Sequence, residues 1–314
     1  MVAVLAGALL FAINGTVSKV VLSAGMSSLH LVEIRCTAAA AAFFLIAALR
    51  RPQALRIGRR ELGFVLIYGI TGIALVQWLY LVAIARMPVS LALLIEYTAP
   101  LLVALWVRFV RRGEVRSRVW AALVLSFGGL TVVAQVWKGA TLDGIGVLAA
   151  AGAAISLAAY YLLGEHGLGR RDAVSLLSWS FAAAAAFWSI LLPWWSFPFA
   201  RLADRAAIAG TTAPVWLLVT WVVLLGTVAP FGLSLFGIGR IGPTRTGLIG
   251  TTEPVLAGLV AWIVIGERLT GWQLAGAGIV LTGIVLAETS RAAGSSGADE
   301  PGRVPAETVP PHLA

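Results

Sequence analysis

Tyr80 to Pro100 reads YLVAIARMPVSLALLIEYTAP, and Ser234 to Pro254 reads SLFGIGRIGPTRTGLIGTTEP. At an offset of 154 positions Arg86 falls on Arg240, Ile95 on Ile249 and Pro100 on Pro254. The register continues outward, with Gly72 on Gly226, Leu105 on Leu259, Ala121 on Ala275 and Gly129 on Gly283. In an apolar chain a shared Leu or Ala carries little information. An Arg, a Pro and two Gly at one offset indicate an internal duplication, each copy about half the chain.

The flanks of both segments are apolar throughout. Of 314 residues 60% are hydrophobic and 12% charged, about half the charge of a typical soluble domain. Such a chain cannot cover a water-facing surface and belongs in the membrane class. A helix crossing the hydrocarbon needs about 20 mainly apolar residues. Ten runs qualify: 2–23, 29–49, 62–85, 88–110, 118–137, 144–163, 173–193, 214–238, 243–265 and 271–288. Backbone groups in lipid must bond within their own segment, so the runs are read as helices. The first run lacks a basic leader and is expected to stay as a helix rather than be cleaved. Mid-run glycines such as Gly128-Gly129 and Gly276-Ala277-Gly278 suit close helix packing.

Five runs fall in each half. The expected organisation is a first five-helix repeat over 1–137, a second over 138–288, and a disordered cytoplasmic tail over 289–314, rich in Gly, Pro, Ser and Ala. With the N-terminus placed in the cytoplasm, fifteen Lys and Arg fall in inner loops and five in outer ones. Both termini are then cytoplasmic. The net charge of +9 becomes an orientation signal rather than a nucleic-acid footprint. An odd number of helices per repeat makes the second enter from the opposite face. That inverted plan recurs in secondary transporters, whose substrate site lies near the midplane between repeats.

Depth sorts the charges inside the runs. Lys19, Glu33 and Arg35 lie near predicted helix ends, where pairing or snorkelling to the outer interface is the expected role. Glu96 and Glu253 lie about 12 and 15 Å into their runs, at about 1.5 Å per residue, near the middle of a core about 30 Å thick. Each sits beside a proline, Pro100 or Pro254, that interrupts the helical ladder. They are the leading candidates for substrate binding or proton coupling, against a plain reading as helix–helix bonds. Asn14, Gln77, Trp78, Tyr97, Tyr160, Thr251 and Thr252 are the polar and aromatic neighbours available to line a cavity. Pro100 and Pro254 are candidates for gating.

Several chemistries lack their parts. No G-x-x-x-x-G-K-[ST] is present for an ATP-driven pump, and no H-E-x-x-H for zinc. The four Asp avoid the runs, so no intramembrane aspartate pair forms, and Cys36 stands alone. No metal site is expected.

The second half, TTEPVLAGLVAWIVIGERLTGWQLAGAGIVLTGIVLAE, resembles the EamA repeat of the drug/metabolite transporter superfamily. The likeness rests on Pro254, Gly266-Glu267-Arg268, Gly276 and Gly283. The first half matches through Pro100, Gly113-Glu114, Gly128 and Gly129, with Val115 in place of the arginine. Lys19 and Arg35 fall where the family often carries a basic residue. Glu96-Tyr97-Thr98-Ala99-Pro100 with Glu253-Pro254 is similar to the threonine/homoserine exporter branch. The resemblance implies an all-α polytopic protein of ten helices in two inverted repeats, a central cavity and efflux of small metabolites such as amino acids. It implies no cofactor. The expected place is the inner (plasma) membrane, multi-pass, with a small-molecule substrate, and protons are the candidate coupling partner through Glu96 or Glu253. A sugar, nucleotide-sugar or drug carrier is the alternative cargo class. An intramembrane enzyme or receptor is the alternative of another class.

Overall fold

The computed structural model describes residues 2–50, 52–112, 117–133, 135, 142–241, 249–250 and 252–295. Among them seven helices are long and apolar enough to cross a membrane, and three more are apolar but shorter. The first half supplies α1 (Val2–Ser23), α2 (Ser28–Arg50), α3 (Arg59–Tyr68), α4 (Leu75–Ile84), α5 (Val89–Glu96), α6 (Ala99–Phe109) and α7 (Ser117–Val133). The second supplies α8 (Gly144–Leu168), α9 (Ala173–Leu191), α10 (Val215–Val223), α11 (Ala229–Ile241), α12 (Glu253–Ile265) and α13 (Gly271–Ser295). The last helix runs through Ser295, past the expected tail boundary at 288. The rest of the expected tail, Lys138 and the Gly113-Glu114 pair lie outside the described residues.

The duplication extends to an irregularity that no residue pattern announced. A π-helical segment, Gly69–Ala74, joins α3 to α4, and another, Leu224–Val228, joins α10 to α11. They coincide at the 154-residue offset. Each brings a glycine against the other half. A Cβ on Gly72 would lie 3.1 Å from the Cα of Tyr160, and one on Gly226 only 2.2 Å from Asn14 Oδ1. Only a residue without a side chain fits at Gly226.

Contacts between the halves obey an exchange rule. Where α1 packs on α12, α8 packs on α6; where α1 packs on α11, α8 packs on α4. The helix α2 meets the second π-segment as α9 meets the first. Two pairs, α2 with α9 and α7 with α13, map onto themselves. This is the contact pattern of a two-fold relation between repeats.

The α7–α13 pair is held backbone to backbone. A Cβ on Gly129 would lie 2.8 Å from the Gly276 carbonyl, one on Gly276 2.7 Å from that of Gly129, and one on Gly283 2.8 Å from that of Ala122. Small residues allow this approach where lipid removes the hydrophobic drive between helices.

One element departs from an all-α expectation. Arg205–Ile208 and Thr211–Pro214 (β1 and β2) form an antiparallel hairpin. Its turn residues, Ala209 and Gly210, have φ of 49° and 74°, the doubly positive pattern of a tight two-residue hairpin loop. The hairpin packs against α1, and Ala209 N–H donates to the Val264 carbonyl at the end of α12 (3.3 Å). It therefore covers one end of the bundle. Pattern reading missed it because RAAIAGTTAP has no alternation of apolar and polar residues.

Candidate functional site

The run 88–110 is two helices, not one. Helix α5 ends at Glu96 and α6 begins at Ala99. In the second half α12 begins at Glu253. Both prolines occupy the first turn of a new helix rather than the interior of a continuous one, a place where a missing N–H is harmless. The two approaches are built alike. Thr98 Oγ1 donates to the Ile95 carbonyl and Thr252 Oγ1 to the Ile249 carbonyl, both at 2.7 Å. Thr252 thus donates its hydroxyl proton within its own turn.

These breaks give the two glutamates opposite settings. Glu253 is the first residue of α12, where the helix presents free N–H groups and the positive end of its dipole. Its Oε2 accepts from Tyr97 Oη at 2.6 Å. Glu96 is the last residue of α5, at the negative end. Its Oε2 is buried and without a hydrogen-bond partner. The residues are 7% and 8% exposed respectively.

The positive charge among them is Arg35. It was expected near an interface, yet it is 3% exposed and its guanidinium hooks onto the second π-segment. Nε donates to Thr227 Oγ1 (2.7 Å) and Nη2 to the Gly226 carbonyl (3.3 Å). Nη1 is buried without a partner. Arg35 interacts electrostatically with Tyr80, Glu96 and Glu253, and Tyr80, also buried, with both glutamates. Helices α2, α4, α5 and α12 therefore converge one cation, two carboxylates and two phenols at the centre. In the other half, the first π-segment meets buried Ser180, whose carbonyl a Cβ on Gly69 would approach to 2.5 Å. The arginine has no counterpart there.

The other expected lining residues divide. Asn14 is buried, accepts from Ser18 Oγ at 3.4 Å, and lies against Gly226, the residue whose carbonyl holds Arg35. Gln77 is buried beside Cys36, with Nε2 3.8 Å from its sulfur and Oε1 unpartnered. Trp78 turns toward Trp188, ring centroids 5.8 Å apart. Tyr160 stacks on Tyr68 at 5.4 Å, and its electrostatic partner is that phenol rather than either glutamate. Thr251 lies outside the described residues.

Tyr80 and Thr227 are not singled out by the sequence, and Arg35 is singled out only as a charge near a helix end. Arg35 stands seven residues into α2, about 10 Å deep, almost the depth that singled out Glu96. Glu33, on the same helix, is fully buried with both oxygens unpartnered. Residues two apart on a helix do not share a face, so it lies away from Arg35. Lys19 does pair, as expected, but with Glu267. It also donates to the Met87 carbonyl at 2.8 Å, while Glu267 Oε2 accepts the Val89 N–H at 3.0 Å. This latch ties α1, the start of α5 and the α12–α13 loop together at the hairpin end.

The EamA-like transporter family model matches residues 1–135 and again 144–289. The threonine/homoserine exporter RhtA of Escherichia coli (strain K12) is 29% identical over 240 residues, 76% of this chain and 75% of that protein. An uncharacterized transporter of Archaeoglobus fulgidus is 27% identical over 212 residues, 66% of this chain and 70% of that one. A solved crystal structure superposes with a TM-score of 0.61 at 20% identity, covering 93% of this chain and 98% of that chain.

Proposed function

We infer, given that this chain belongs to the EamA-like transporter family, that it is a secondary exporter of small polar metabolites, amino acids foremost. That it is a membrane transporter and not an enzyme follows from the family. The cargo, the direction and the mechanism are our reading. Ten spans in two inverted five-helix repeats fit the exchange rule of the contacts, with the arginine-rich end in the cytoplasm and both termini there. Alternating access is then a rocking of one half on the other about the central cluster.

The observation that carries the reading is the pair of helix breaks. A carboxylate with one unpartnered oxygen closes α5, and carbonyls at a helix C-terminus add to its pull on a cation. Glu96 is accordingly the contact for an amino group. Glu253, already held by Tyr97, carries the coupling proton or gates the path. The exporter relative named for threonine and homoserine supports a cargo bearing an amino group. The test is counterflow of labelled threonine in proteoliposomes holding the purified chain, with and without a proton gradient. Movement dependent on the protein and altered by the gradient is expected. Absence of threonine movement while a labelled sugar or drug is carried would replace the cargo class.

A further inference from the structure

We propose that Arg35 binds the carboxylate of the cargo and Glu96 its ammonium, so the site selects the zwitterion of an α-amino acid. The proposal rests on the reading above and adds the anion half of recognition.

Arg35 is placed as a binding group rather than as a strut. Its two hydrogen-bond partners, Thr227 Oγ1 and the Gly226 carbonyl, are neutral. Two of its three nitrogens are thereby fixed, which locks the plane and direction of the fork. The third, Nη1, is buried without a partner. Among the described residues Arg35 forms no ion pair, although Glu96 and Glu253 are near enough to act on it electrostatically. A guanidinium removed from water is destabilising by several kcal/mol unless charge and hydrogen bonds compensate. A carboxylate is the ligand that matches its planar fork.

Glu96 mirrors the situation with opposite sign, one oxygen buried and unpartnered. Glu253 does not, because Tyr97 occupies it. Glu33 does not either, because it lies off the face of Arg35. Among the described residues the centre thus leaves one guanidinium nitrogen and one carboxylate oxygen without a partner. A ligand with both charges on a single carbon satisfies both; an amine or an acid alone leaves one of them buried and unmatched. Arg35 and Glu96 belong to the first half and the hook at Thr227 to the second, so the cargo carboxylate would bear on a side chain that spans the halves.

The test is competition against labelled threonine on the purified full chain, using threonine methyl ester and 2,3-dihydroxybutanoate, which remove one charge each. In the unaltered protein each analogue should compete about 100-fold worse than threonine, the upper end of the loss when a buried polar group is left unsatisfied. Arg35→Gln should weaken threonine about 100-fold and erase its advantage over the ester, leaving the penalty on the hydroxy acid. Arg35→Lys keeps the charge and should retain part of that advantage; it also decides the matter if Arg35→Gln does not reach the membrane. An ester that competes as well as threonine in the unaltered protein overturns the proposal. So does an unchanged preference for threonine in both variants, with the exporter reading intact. A protein that neither binds nor moves threonine but moves another cargo fails at the earlier step.

Discussion

Removing the Glu267 carboxylate should open the hairpin end of the bundle. Glu267 makes two contacts there, the ion pair with Lys19 and the Val89 N–H at the first residue of α5. The paired side chains are 21% and 15% exposed, between the surface case, worth about 0–1 kcal/mol, and the fully buried case, where losing one partner is destabilising by about 3–5 kcal/mol. About 1–2 kcal/mol is a fair value for the pair. Glu267→Gln loses the charge but can still accept from Val89. Glu267→Ala also loses the cap, worth about 1 kcal/mol more. With a factor of ten per about 1.4 kcal/mol, the open population should rise about 10-fold in the first variant and about 50-fold in the second. Ser90, buried one residue beyond Val89 and packed on Gly258, reports the opening. In a Cys36→Ser background, Ser90→Cys should react with a membrane-impermeant maleimide in that order of rates. Swapping the charges, Lys19→Glu with Glu267→Lys, should slow it again. Equal rates in Glu267→Ala and the parent would show that the latch does not hold this end shut.

Three further outcomes are expected. Glu96→Gln and Glu253→Gln should each reach the membrane and lose most transport, and the variant at the proton carrier should have a flat rate against pH; full transport with unchanged profiles in both returns these residues to structural bonds. Gly226→Ala drives a Cβ into Asn14 and should lower stability by about 1–3 kcal/mol, while Asn14→Ala should relieve part of that loss; additive melting shifts in the double variant would exclude the contact. Reporters fused after Arg60 and Arg171 should read cytoplasmic and one at Asp204 external; the reverse pattern would overturn the orientation.

Much of the bundle was legible because lipid makes the rules simple. Apolar runs had to be helices, and the shared offset had to be a repeat. What stayed hidden arises from tertiary contact. The π-segments follow from glycines that accept a neighbour's backbone or Asn14, and nothing in GITGIA or LLGTV spells that out. The prolines mark the place of an interruption, but whether each kinks a helix or opens a new one depends on Thr98 and Thr252 closing the preceding turns. Arg35 was assigned to an interface by counting from a helix end, although the same counting placed Glu96 at the centre. The difference lies in which face of α2 the second half covers, and a single helix does not record that.

The glycine seam between α7 and α13 separates two kinds of inheritance. A junction made of main chain offers almost nothing for substitution to vary, since nearly any side chain at Gly129, Gly276 or Gly283 forces the helices apart. The cluster around Arg35 and Glu96 is made of side chains and can be rewritten one residue at a time. With the cargo read by that cluster, as proposed above, a lineage built on this plan would change its cargo freely while its mechanics stay fixed. Two such proteins would then share their moving parts and have no substrate in common.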